Sequence, residues 1–207
     1  TGGFGLGVVQ ALMGRDPVGE LLVSHELVHA LQDQHLPAII RETLAFQYQA
    51  GTAFTARALA DGGWPAVDRV HADPPPSTEQ VLHPERYFDR RDVPSGVVLA
   101  GNGPLERGGH RLVLSDTLGE LDILVLARRT MPAAQAARIA DGWDGDRVAA
   151  WRRRDVLVLA WMTVWDTVDD AGEFAAAPTM VPGARVEQRG TRVLVLVGPT
   201  MPTLASA

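Results

Sequence analysis

The chain has no cysteine and no lysine; all 19 of its positive residues are arginine. Lacking cysteine, it forms no disulfides, thiolate zinc sites or iron–sulfur clusters and has no thiol nucleophile. Lacking lysine, it has no Schiff-base chemistry and no phosphate-loop lysine. Long apolar runs are missing too. The longest, Val156 to Trp165, sits between Arg152-Arg153-Arg154-Asp155 and Asp166 and is too short to span a bilayer. Positive charge is in deficit, with a net charge of -6, which argues against a nucleic-acid partner. What remains is ordinary: 207 residues, 46% apolar and 21% charged, suit one domain over residues 1–207 with a real core. The chain opens on Thr1 rather than methionine, which leaves room for an export signal upstream and an exported or envelope-associated location.

Local signals predict helices first and a small antiparallel sheet late, an α+β class. Asp16-Pro17 starts a helix with an apolar flank through about Gln34. A second runs from Pro37 to about Ala60 and stops at Asp61-Gly62-Gly63, before a short one from Trp64 to about His71. Ser77 to Gln80 has capping-box spacing, with Gln80 expected to reach back, and the helix it opens breaks at His83-Pro84. Residues 92–109 read as loop with a strand at Val97–Leu99, and Ser115 is expected to cap a helix from Asp116 to Arg129. Pro132 opens another helix. Val148–Trp151 and Val156–Trp165 pair as strands, Asp166 caps a helix to about Ala177, and Arg185–Gln188 with Arg192–Val197 closes the chain as a hairpin.

The chemistry is concentrated in Ser24-His25-Glu26-Leu27-Val28-His29-Ala30. Residues four apart on a helix leave the same face one turn apart, so His25 and His29 can share one zinc ion at about 2.0–2.1 Å each. Glu26 is angled to a metal-bound water rather than to the metal. There it accepts the proton as general base while zinc lowers the water's pKa. With 6 histidines in the chain, chance supplies only about 0.007 such motifs, so the metal reading outweighs two incidental surface histidines.

A hydrolytic zinc needs a third protein ligand. His35 completes metzincin spacing, but Gln32 stands where that clan has glycine, and a continuing helix turns His35 about 600° from His29. Glu42, on the next helix as in gluzincins, is the stronger candidate. From His29 the chain descends about 10 Å to Leu36 and climbs about 7.5 Å to Glu42, with almost no linker for the reversal. The third ligand stays open between them.

His25-Glu26-Leu27-Val28-His29-Ala30-Leu31-Gln32-Asp33-Gln34 resembles the signature of a family of largely uncharacterised bacterial and archaeal zinc metallopeptidases. The likeness continues in Gly63-Trp64, in Pro75 to Tyr87, in Gly142-Trp143-Asp144-Gly145-Asp146-Arg147, and from Trp165 to Phe174. The resemblance implies a mainly helical, zincin-like domain of gluzincin type. It implies Zn2+ on His25 and His29, Glu26 as the catalytic residue, and a peptide or protein substrate. In that family a helical insert with a Glu-Gly-Asp-Ala-like stretch follows the signature and supplies the third ligand. No such stretch occurs here, and family-like chain resumes near Pro37. We therefore expect a segment to be missing between about Gln34 and Ile39, marked by neighbours such as Leu36 and Pro37 lying beyond the ~3.8 Å Cα spacing of a trans peptide. The competing expectation is a degenerate zincin-like module that binds or supports without hydrolysis.

Other motifs carry less. Ser77 to Tyr87 could line a cleft with His83 or Tyr87 near an oxyanion, though a capped helix with satisfied side chains explains them more simply. Asp141 to Asp146 lacks the later glutamate of a calcium loop and reads as a turn around a buried Trp143. Arg152-Arg153-Arg154 reads as a solvated hairpin tip.

Overall fold

From residue 143 onward, apolar side chains fill both registers of the chain instead of alternating, as in strands covered on two sides. The computed structural model, which describes residues 38–99, 103–177, 181 and 183–198, shows such strands. The sheet holds β1 (Arg111–Asp116), β2 (Trp143–Arg153), β3 (Val156–Trp165), β4 (Arg185–Arg189) and β5 (Arg192–Val197) in the order β1-β2-β3-β5-β4; the inner three, β2, β3 and β5, are the covered ones, while β1 and β4 are exposed edges. Every pairing is antiparallel. On one face Val148 lies opposite Trp161, and Trp161 opposite Val195; on the other Trp151 faces Val158. All five are buried.

Helix α1 (Ala38–Ala72) is two helical stretches merged across a kink at Gly62 and Gly63, where Gly63 takes φ 63°. Proline at position 65 then opens the second stretch, where its missing N–H costs nothing. Five of the remaining helices are α2 (Thr78–Leu82), α3 (Glu85–Phe88), α4 (Gly103–Arg107), α5 (Gly119–Arg128) and α6 (Ala133–Asp141); α7 (Val168–Ala176) follows β3. Helix α7 packs on β3, β4 and β5, α5 reaches β2, and α5 and α6 pack together. Ile123, Ile139, Trp161, Trp165 and Phe174 form one core between these helices and the sheet. There Trp161 meets Phe174 edge to face at 5.5 Å. The class is α+β.

Two compact units divide the chain, Thr1–Arg41 and Glu42–Ala207, and the sheet belongs to the second. No described helix is long and apolar enough to cross a membrane. The expected helix from Asp16 to Gln34 and the junction through Pro37 lie outside the described residues.

The predicted strand at Val97–Leu99 is irregular chain, and α4 occupies part of the expected loop. Ser115 and Asp116 end strand β1 instead of starting a helix. The helix begins at Gly119 because its free N-terminal donors find a carboxylate from another element: Asp146 of β2 accepts from Leu118 N at 3.0 Å and Gly119 N at 2.8 Å. Ser77 does cap α2, accepting from Gln80 N, but the Gln80 side chain donates to the Asp92 carbonyl instead of closing a capping box.

Candidate functional site

His25, Glu26, His29 and His35 lie outside the described residues. Glu42 is described: it stands in α1, with Oε2 3.5 Å from Arg128 Nη1 of α5.

Within the described residues, titratable side chains converge where α2, α5 and α6 end or begin. Leu82 closes α2 because Pro84 cannot continue it, which leaves His83 as its C-cap with a backbone N–H bond to the Glu79 carbonyl. Glu120 occupies the first turn of α5, where the helix dipole favours a carboxylate, and Asp141 ends α6. Three helix termini thus deliver three side chains to one point. His83 Nε2 lies 2.9 Å from Glu120 Oε1 and 3.3 Å from Asp141 Oδ1. On its other side, His83 Nδ1 is 3.8 Å from Glu85 Oε1.

Arg86 closes the cluster. Its Nη1 donates to Glu79 Oε1 and to the Asp141 carbonyl, and its Nη2 lies 3.0 Å from Asp141 Oδ1. Glu79 and Glu120 are almost fully buried, His83 is partly buried and Asp141 is exposed. Burial pushes the Glu79 carboxyl up to about 7 in spite of the Arg86 guanidinium beside it. Burial likewise raises Glu120, against the pull of His83, and the Glu120 hydrogen bond raises His83. Glu120 Oε2 is buried with no hydrogen-bond partner among the described residues. An imidazole between two carboxylates, with Arg86 already engaged by Glu79, can hold a proton or a cation.

The neighbouring acid, Asp146, has a different role. Its two oxygens accept four N–H donors: Leu118 N, Gly119 N, and the indole N–H groups of Trp143 and Trp161 at 3.1 and 3.0 Å. With those lone pairs taken up, Asp146 ties β2, β3 and the start of α5 together. Beside it opens a cavity of about 450 Å³, lined by Ser77, Thr78, Ser95, Gly119 and Arg147 among others. Tyr87 points elsewhere. Its hydroxyl donates to the Asp73 carbonyl, and its ring packs against Phe54 and Phe88.

The sequence singled out His83 by its place at a helix break and marked Asp141 only as a turn acid. Glu120 was missed: on the helix expected from Asp116 it looked like any surface glutamate. The only cue was Gly119 before it, which has φ 82° and lets the chain turn into α5.

Residues 110–207, which hold Glu120, Asp141 and Asp146 but not His83, match a domain family of unknown function (DUF8575). No curated protein and no solved structure matches the chain.

Proposed function

We propose that the protein is a zinc-dependent peptidase with a zincin-like fold, hydrolysing peptide bonds through water activated at His25 and His29. The observation that carries this reading is His25-Glu26-Leu27-Val28-His29, which no composition effect supplies by chance. Two neutral imidazoles and a carboxylate are a donor set that zinc takes readily. Zinc, when bound, supplies a more acidic water and polarises the scissile carbonyl. The chain's own contribution is Glu26, which takes the water's proton and later returns it to the leaving amine. Glu42, on the first stretch of α1, is the candidate for the third ligand. Its exposed contact with Arg128 at 3.5 Å is too weak to hold it elsewhere.

A second reading rests on the missing Glu-Gly-Asp-Ala-like stretch: a zincin-like module that keeps the helix without the full ligand set. Elemental analysis of the full chain, with His25→Ala/His29→Ala as control, separates the two. The peptidase reading expects stoichiometric zinc that the double variant loses. It also expects Glu26→Gln to keep the zinc while peptide cleavage falls about 10²–10⁴-fold. No difference in zinc between the natural chain and the double variant favours the module. Cleavage by Glu26→Gln at the natural rate removes Glu26 from the mechanism.

A further inference from the structure

We propose that His83, Glu120 and Asp141 form a binding site for one divalent first-row transition-metal ion. One ligand atom from each of the three side chains lies within 4.8 Å of the other two. Two donors on the same ion, each at about 2.1 Å, stand about 3.0 to 3.4 Å apart in octahedral or tetrahedral coordination. The observed separations from His83 Nε2 are 2.9 Å and 3.3 Å.

Hydrogen bonding alone does not use these groups fully. Nε2 carries at most one proton, yet two carboxylate oxygens face it. Glu120 is 3% exposed, and its Oε2 has no donor among the described residues. A buried carboxylate oxygen left this way is costly, and a cation on the same carboxylate would offset that cost.

Charge points the same way. Arg86 is shared between Glu79 and Asp141, which leaves Glu120 as the carboxylate at His83 with no guanidinium on it. The Asp141 oxygen that stands 3.3 Å from Nε2, Oδ1, is also the one 3.0 Å from Arg86 Nη2, so an ion shares that oxygen with the guanidinium or takes Oδ2 once this exposed side chain turns. Its exposure also gives an ion a way in and leaves room for water ligands. An ion would take the place of the proton that His83 Nε2 shares with Glu120 Oε1 at 2.9 Å, leaving Nδ1 to carry the ring's remaining proton. One imidazole with two carboxylates suits Mn2+, Fe2+ or Zn2+, whereas Ca2+ wants six to eight oxygens.

The test uses the full chain carrying His25→Ala/His29→Ala, titrated with Mn2+ alone and followed by loss of the free-ion electron paramagnetic resonance signal. One Mn2+ should bind per chain and be displaced by Zn2+. Asp141→Ala changes an exposed side chain and spares the fold. It should weaken binding by more than the about 10–100-fold that losing an outer-sphere partner costs. Glu120→Gln should do the same, with circular dichroism confirming that it is folded. No saturable binding of either ion, or binding that neither substitution alters, would overturn the site. Zinc lost between the natural chain and the double variant reports on the histidine helix, so the two sites can fail separately.

Discussion

A single carboxylate, Asp146, satisfies two indoles and two backbone N–H groups from three elements, all in a site only 3% exposed. Asp146→Asn keeps the shape but replaces one accepting oxygen with an NH₂, which would face two donors with a third. Each buried donor left unpaired costs about 1–3 kcal/mol, and the negative charge at the start of α5 is lost as well. We expect a loss of about 2–5 kcal/mol in urea denaturation. A variant within about 0.5 kcal/mol of the natural chain would show that the four bonds contribute little net energy. Nothing in the sequence marked this residue beyond its place in a turn-like run, because its partners come from positions 15 to 28 residues away as well as from Trp143.

Elements built from local signals were legible, and those set by distant partners were not. The strand Val156–Trp165 was read in full because a continuous apolar run between arginines admits little else. The break in α1 was read from Gly62-Gly63 and the cap of α2 from Ser77; α7 was expected to be capped by Asp166, but Thr167 caps it, in a reciprocal pair with Asp170. Strand β1 was missed because all six of its residues are exposed on a sheet edge, so no burial pattern was written into them. The chain before Thr117 is a strand because β2 offers it a ladder. Residues 92–96 are likewise held by tertiary contact: Ser95 bonds the Asp144 side chain through its backbone N–H and its hydroxyl. Gly145 permits that approach, since a Cβ there would stand 2.3 Å from the Ser95 carbonyl oxygen. Gly145→Ala should therefore lift this segment off β2 and speed tryptic cleavage after Arg90 and Arg91. Unchanged cleavage and stability would mean that the segment is not held by this contact.

At the level of the whole molecule, the buried acids set how stability responds to pH. Glu79 has an ordinary value of 4.5 in the open chain and about 7 when folded, so between these values the folded state binds more protons than the unfolded. Stability then falls as pH rises through that window. Glu120, raised by burial, and His83, raised by Glu120, act in the same direction, His83 losing its contribution as pH climbs past its own raised value. A net charge of -6 adds self-repulsion as the last protons leave. Urea midpoints should therefore decline between about pH 5 and pH 8, by on the order of 1–3 kcal/mol for Glu79, and Glu79→Gln should flatten the decline. Stability that rises across the same interval would contradict this account.

The two-sided burial of the sheet also divides the chain optically. Of its 5 tryptophans, Trp143, Trp151, Trp161 and Trp165 are at most 3% exposed in β2 and β3, while Trp64 on α1 is 71% exposed. Blue-shifted emission therefore comes from the sheet and the red-shifted, acrylamide-quenched fraction from one indole on the long helix. Loss of the blue band during unfolding marks the moment the sheet opens, while Trp64 reports, in the same cuvette, on a segment with no share in that core.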